Sequence, residues 1–433
     1  MRLNVASAVP KIYTAEGAPA KHITPEQALR RSVLSCLLWE QEFYEDGKTI
    51  ADRIAENAAQ CSTETVAALA KEARQVHGLR HAPLILLLDL VRRGGSGVAD
   101  AIDAAIRRPD EIGELVALYW RNGRKMLPRQ MRLGMAKAFN RFSEYSLAKY
   151  DRDGPVKLRD VLFLSHAKPK DDETAALFKK VADRELATPD TWEVSLSAGA
   201  DKKETFERLI RDGKLGYLAL LRNLRNMVDA GCDRGLVTDA IVARKGDELV
   251  FPFRYVAAAR AVPQLEPYID QALCEAVASA PRLSGITAVL VDVSGSMDER
   301  LSAKSDLKRM DAAAALASVI NGDVRVFTFS NQVVEVPPRR GMAGVDAVIR
   351  SQPHSGTYLG QAVTAINGQV KHDRLIVITD EQSADRVPDP VAAKAYMINV
   401  ASNRNGVGYG RWCHIDGFSE AVIRFIAESE NDR

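Results

Sequence analysis

Cysteine is scarce in this chain. Its 433 residues hold five, Cys36, Cys61, Cys232, Cys274 and Cys413, with no CxxC pair among them. So dispersed a set excludes a disulfide framework and a thiolate zinc cluster, and it fits a reducing cytoplasm. Long apolar runs are lacking as well. The greasiest stretch, "LILLLDLV", is broken by Asp89 and is too short to cross a bilayer. The opening "MRLNVASAVPKIYTAEGAPAKH" has no apolar core of signal-peptide length, so neither export nor a membrane span is expected. Charge of one sign is not in excess: 59 Lys and Arg face 57 Asp and Glu, a net of +2. Only the distribution of charge along the chain can then point to a partner. The histidines, His22, His77, His81, His166, His354, His372 and His414, are dispersed, and no P-loop, GxSxG elbow or HExxH occurs. Catalysis is not expected, although His354 near Thr357 leaves a metal-assisted hydrolase as an alternative.

What is present is a soluble globular composition, 46% hydrophobic and 27% charged, in a chain long enough for two or three domains. The first two-thirds is a succession of amphipathic helical patterns. "TPEQALRRSVLSCLLWEQEF" opens with Thr24 as N-cap, Pro25 at the first helical position and Gln27 completing a capping box; Leu29, Val33, Leu34, Leu37 and Leu38 form its apolar stripe. Similar segments are predicted at about 48–60, 63–76, 82–93, 110–121, 128–148, 156–166, 203–212, 214–229 and 265–280. Helices of this length with short connections predict stacked pairs, an α-solenoid, with an irregular bundle as the alternative.

After about Pro281 the pattern changes. "ITAVLVDVS", "DVRVFTFS", "RLIVITD" and "KAYMINVAS" read as strands, and "DLKRMDAAAALASVI", "GVDAVIRS", "LGQAVTAI" and "FSEAVIRFIAES" as helices between or after them. Such alternation predicts a mostly parallel, doubly wound α/β sheet. The expected division is a helical module over 1–283 and an α/β domain over 284–433.

The first of these strands ends in "AVLVDVSGSMD", one carboxylate and two hydroxyls at alternate positions. In a doubly wound sheet ligands bind beyond the carboxyl ends of strands, and Asp292, Ser294 and Ser296 fall there. Thr357 in "HSGTYLG" and Asp380 at the end of "LIVITDEQ" are placed to join them. The resulting oxygen set is suited to a small hard divalent cation, Mg²⁺ before Mn²⁺ or Ca²⁺. The plainer reading is helix capping by Ser and Asp. The order DxSxS, loop threonine, strand-terminal aspartate resembles the metal-ion-dependent adhesion site of von Willebrand factor A domains. That resemblance implies that Ser294, Ser296 and Thr357 are near-direct ligands, with Asp292 and Asp380 acting partly through water.

The helical part also resembles a known family. "RRSVLSCLLWEQEFYEDG", "LRDVLFLSHAKP", "KLGYLALLRNLRNM" and "FPFRYVAAAR" are similar to the TROVE module of the Ro autoantigen and its bacterial relatives, where a HEAT-like ring of helical pairs is closed by a von Willebrand A domain. The resemblance implies binding of small noncoding Y-like RNA and of single-stranded ends of misfolded RNA, without catalysis, and an association with an exoribonuclease.

From Arg121 to Arg152 stand Arg121, Arg124, Lys125, Arg129, Arg132, Lys137, Arg141, Lys149 and Arg152, nine basic residues against two acidic, Glu144 and Asp151. Such a run binds RNA through phosphates with strong salt dependence, or is simply a solvated helix face. Tyr119, Trp120, Phe139 and Tyr145 among them either stack bases or belong to the core. The family's contacts map onto Lys149 of the "KY" pair and His166 of "LSHxKP"; His166 read alone is as well a helix-terminal residue. One departure is "KYDRDG", where Asp151 and Asp153 flank Arg152 and lower the local positive field. Lys168, Lys170, Arg222 and Arg225 extend the candidate surface. Neither DNA nor membrane is an expected partner. The competing reading is a cation-dependent protein-adhesion scaffold without RNA.

Overall fold

The computed structural model describes residues 12–14, 17–20, 24–34, 47–76, 78–151, 154–247, 250, 252–278, 282–300, 307–337, 339–400, 406–416 and single residues near the C-terminus. Leu37, Leu38, Arg152 and most of "FSEAVIRFIAES" lie outside them. The chain forms two compact units. One comprises Lys48–Val250 with Ala261–Tyr268; the other comprises Met1–Gly47, Phe251–Arg260 and Ile269–Arg433.

The first unit is helical throughout. Helices Gly47–Ala59, Thr63–Gln75, His81–Arg93, Pro109–Tyr119, Leu158–Ser165, Lys202–Arg211 and Tyr217–Asp229 match expected segments within a few residues. The expected single helix over 128–148 is two, Arg129–Phe139 and Glu144–Tyr150. The break has a local cause: Ser143 turns extended and its hydroxyl accepts the Ser146 N–H at 3.2 Å, capping the second helix. Helices Val98–Ala105, Asp172–Asp183, Trp192–Ser197 and Arg234–Ala243 were not foreseen. Two of them are short and the apolar stripe of each is brief, so periodicity is weak.

Adjacent helices pack closely through small residues. Gly134 on Arg129–Phe139 faces the helix Val98–Ala105 so tightly that a Cβ there would stand 2.7 Å from Ile102 Cβ and 2.8 Å from the Ala99 carbonyl oxygen. Gly134→Ala is expected to destabilise this unit by about 1–3 kcal/mol, the cost of overpacking, read as a lower urea midpoint.

The second unit is built on a six-stranded sheet in the order β5-β4-β3-β6-β7-β8. Its strands are β3 (Arg282–Asp292), β4 (Asn321–Phe329), β5 (Val333–Val336), β6 (Arg374–Thr379), β7 (Lys394–Asn399) and β8 (Cys413–Asp416). All pairings are parallel except that of edge strand β5 with β4. β6 is buried along its whole length, as a parallel strand covered on both faces must be. Strands β5 and β8 were not foreseen; at four residues each they carry little pattern. A small hairpin, β1 (Ile12–Tyr13) and β2 (Pro19–Ala20), precedes them.

Helical segments upstream of the sheet also belong to this unit: Pro25–Leu34, most of Pro252–Ala261, and Glu266–Ala278 from Ile269 onward. Asp270, on the helix Glu266–Ala278, accepts the Met342 N–H at 2.7 Å and so caps the helix Gly341–Ile349 from outside. Gly341 takes φ +60° there, and a Cβ would fall 2.0 Å from Asp270 Oδ1. Further upstream, the expected Thr24 cap is present: Thr24 N–H donates to Gln27 Oε1 at 2.8 Å and Gln27 N–H to Thr24 Oγ1 at 3.2 Å, with Leu29 and Val33 buried below.

Arg374, at the start of β6, is fully buried and donates to the Ser284 carbonyl, to Thr287 Oγ1 and to the Glu430 carboxylate, which Lys394 also contacts. These cations and the Tyr396 hydroxyl outweigh the opposing effect of burial and hold the Glu430 carboxyl down at about 2. A depressed carboxylate contributes stability that is present above its unfolded value, near 4.5, and lost as pH falls towards 2. Wild type is therefore expected to lose its stability advantage over Glu430→Gln across that window, measured by denaturation at stepped pH.

Candidate metal centre and cationic surface

The carboxyl ends of β3 and β6 lie side by side where the strand order reverses, since the chain leaves β3 towards β4 and later returns to β6 on the other flank. That is the crevice where ligands bind in open α/β sheets. β3 stops there for a local reason. Val293 N–H makes the last ladder bond to the Phe329 carbonyl at 3.0 Å, and Ser294 N–H then donates to Asp292 Oδ1 at 2.8 Å, turning the chain out of the sheet.

Ser294 stands before the short 3₁₀ helix Gly295–Asp298, yet its side chain makes no cap bond. Its Oγ instead lies 3.3 Å from Ser296 Oγ. The capping reading of DxSxS therefore does not account for the two hydroxyls. Asp292 is held at both oxygens, the second accepting from Thr379 Oγ1 at 2.6 Å. Asp380 accepts the Gln382 N–H at Oδ1, 3.1 Å, while its buried Oδ2 has no hydrogen-bond partner.

The Thr357 loop is drawn onto this point by backbone bonds. Gly295 N–H donates to the Ser355 carbonyl at 2.9 Å. Ser330 Oγ donates to the Gly356 carbonyl at 3.0 Å and accepts the Ser355 N–H at 2.8 Å, and Asn331 Oδ1 accepts the Gly356 N–H at 3.0 Å. Asp292, Ser294, Ser296, Thr357 and Asp380 are all buried. Thr379, Ser330 and Asn331 were not picked out from sequence; the only sign was a polar residue directly after each apolar strand.

Burial, then the neighbouring Asp380, raises the Asp292 carboxyl above its ordinary range, and burial likewise raises Asp380. Two buried carboxyls, one with an orphaned oxygen, are costly to ionise, and the buried Arg309 offsets only part of that cost at Asp380. Among the described residues no three His, Cys, Asp or Glu side chains cluster as a metal site. The donor set here relies on hydroxyls beside two carboxylates and suits a hard cation that accepts oxygen ligands. His354 is otherwise engaged, its Nε2 2.8 Å from the Ile349 carbonyl oxygen and its Nδ1 3.7 Å from Asp298. Beyond β6, Glu381 takes φ +60° and is buried against the Gly408 N–H and His414.

The basic run divides in two. Lys137 pairs with Asp100 at 2.6 Å and Arg141 with Asp103 at 2.8 Å, both acids on the helix Val98–Ala105. Among the described residues Arg121, Arg124, Lys125, Arg129, Arg132 and Lys149 have no carboxylate within 4.0 Å, and Arg132 Nε is buried without a partner. The turn after the helix Pro109–Tyr119 is stiffened by its aromatics. Trp120 Nε1 donates to the Lys125 carbonyl at 2.8 Å, Lys125 Nζ lies 4.4 Å over the Tyr119 ring, and the Arg124 guanidinium lies 5.2 Å from the Trp120 ring.

Of the remaining aromatics, Phe139 is core, packed edge-on against Phe178 at 5.3 Å, whereas Tyr145 is exposed. Lys149 stands 5.8 Å from the Tyr150 ring, which Arg108 also covers at 4.2 Å. His166 is exposed in the left-handed conformation, φ 52°, ending the helix Leu158–Ser165. Its segment is tied back by Asn140 Nδ2, which donates to the Lys168 carbonyl at 3.0 Å. Arg222 and Arg225 are exposed on the helix Tyr217–Asp229.

Residues 180–284 match the TROVE domain and residues 287–382 the von Willebrand factor type A domain. The chain thus carries a stretch similar to the TROVE domain followed directly by one similar to the von Willebrand factor A domain. The second match contains all five residues of the oxygen cluster; the first begins after His166, so the basic run lies outside it.

The chain shares its fold with the Ro (Rsr) protein of Deinococcus radiodurans, superposing with a TM-score of 0.64 over 94% of this chain and 100% of that one at 16% identity. It is 36% identical over 86 residues to mouse telomerase protein component 1 and 35% to the rat protein. Those stretches are 19% of this chain and 3% of either relative. Among the described residues no helix is long and apolar enough to cross a membrane.

Proposed function

We propose that this protein is an RNA-binding protein of the Ro type. The observation that carries the reading is the group of cations that no acid among the described residues matches, Arg121, Arg124, Lys125, Arg129, Arg132 and Lys149, in one compact unit of a chain whose net charge is only +2. Phosphates neutralised by such cations release counterions, so binding is sequence-tolerant and salt-sensitive. Lys137 and Arg141 contribute less, being already paired. The proposed ligands are small Y-like noncoding RNA and single-stranded ends of misfolded RNA, and an exoribonuclease is the proposed partner in RNA quality control. The reaction is binding rather than catalysis.

The proposed division places RNA contacts in residues 1–283 and the metal centre in 284–433. There Asp292, Ser294, Ser296, Thr357 and Asp380 would hold a divalent cation, most simply Mg²⁺. Bound, the cation would neutralise the two carboxylates and offer a coordination position to an acidic group of a protein partner. Mobility shift of a small structured RNA at low and moderate salt tests the reading. Salt-sensitive binding with intact RNA is expected; no binding at low salt would favour the adhesion scaffold instead.

A further inference from the structure

We propose that Phe163 is a stacking platform for an unpaired base of single-stranded RNA. This rests on the RNA-binding reading and adds to it a class of ligand atom, the base face, that the cations cannot recognise. The helix Leu158–Ser165 buries Leu158, Val161, Leu162 and Ser165 but leaves Phe163 56% exposed. Its neighbour one turn back, Arg159, sets its guanidinium 5.7 Å from the ring centroid, as residues four apart on one helix face can.

The surroundings say what covers the ring. His166 follows it, exposed, and Lys168 and Lys170 are exposed with no carboxylate partner among the described residues. Two of the nearby acids are turned to capping, Asp160 accepting the Lys157 N–H at 3.0 Å and Asp171 the Thr174 N–H at 2.7 Å, while Asp172 and Glu173 are exposed in the first turn of the following helix. An apolar protein partner would meet a single ring among cations. A nucleotide meets an aromatic face for its base and positive charge for its phosphate. Stacking of this kind is tolerant of sequence, since every base has a π-face.

The test compares wild type, Phe163→Ala and Phe163→Tyr on two probes, an adenylate decamer and a blunt RNA hairpin. Because the ring is exposed, the Ala variant is expected to fold, checked by circular dichroism. It is expected to bind the decamer roughly 10-fold or more weakly, with an unchanged salt slope and unchanged hairpin affinity, and Phe163→Tyr is expected to restore decamer binding. Equal decamer affinity in wild type and Phe163→Ala would overturn the proposal while leaving RNA binding in place, as would an equal loss on both probes. Failure of wild type to bind either probe would remove the RNA-binding reading and this one with it.

Discussion

Replacing Arg121, Arg124 and Lys125 together by Ala is expected to weaken binding of a small structured RNA on the order of a hundredfold at about 0.15 M salt. The figure follows from counterion release. Each phosphate contact contributes about 0.7 to 0.9 to the slope of log affinity against log salt, so losing three lowers the slope by about 2 to 3. The three side chains are suited to the test because they are exposed and the bond that shapes their turn, from Trp120 Nε1, ends on the Lys125 backbone carbonyl rather than on a charge.

The paired variant Lys137→Ala with Arg141→Ala is the internal control. Those cations already face Asp100 and Asp103, and removing them exposes two carboxylates while taking away no free positive charge. Its salt slope is expected to change by less than that of the triple variant. A triple variant with wild-type affinity and slope would move the RNA site away from this turn.

Asp292→Ala is expected to abolish Mg²⁺ binding, seen as loss of the calorimetric signal, and Asp292→Asn is expected to do the same with the shape of the site kept. The two variants separate charge from volume. In wild type a bound cation stabilises the native state by mass action, about 2.7 kcal/mol when free ion is a hundredfold above its dissociation constant. That increment is expected to vanish in Asp292→Asn. In chelator, however, Asp292→Asn is expected to melt higher than wild type, because it removes a carboxyl whose ionisation both burial and the neighbouring Asp380 oppose. An equal Mg²⁺-induced rise in melting temperature for wild type and both variants would remove the cation from this site.

Much of the α/β domain was legible in sequence. The central strands β3 and β6 carry the continuous apolar runs AVLV and LIVI because both faces of a parallel strand are buried there, and each run gives way to polar residues at the end where the ligand crevice lies. Asp292 and Asp380 could thus be read off the ends of two runs. Thr379, Ser330 and Asn331 could not. They work through pairing across strands and loops far apart in sequence, and a lone hydroxyl or amide after a strand looks like any turn residue. The edge strands β5 and β8 escaped for want of length, and the single helix expected over 128–148 came from an apolar stripe that runs on through the Ser143 cap.

The charge pattern shows the same division more sharply. Composition and order along the chain determined that positive charge gathers between Arg121 and Arg152 and that the oxygen donors follow in the order DxSxS, Thr, Asp. Only the tertiary structure decided which cations stay free, because ion pairs form between helices: Asp100 and Asp103 come from another segment to take Lys137 and Arg141, and among the described residues no acid comes for Arg121, Arg124 or Lys125. It decided likewise that Phe163 faces outward, since a helix of eight residues carries too few apolar positions for its buried side to be fixed by periodicity. Local propensity acts along the chain, whereas neutralisation and burial depend on what packs across it.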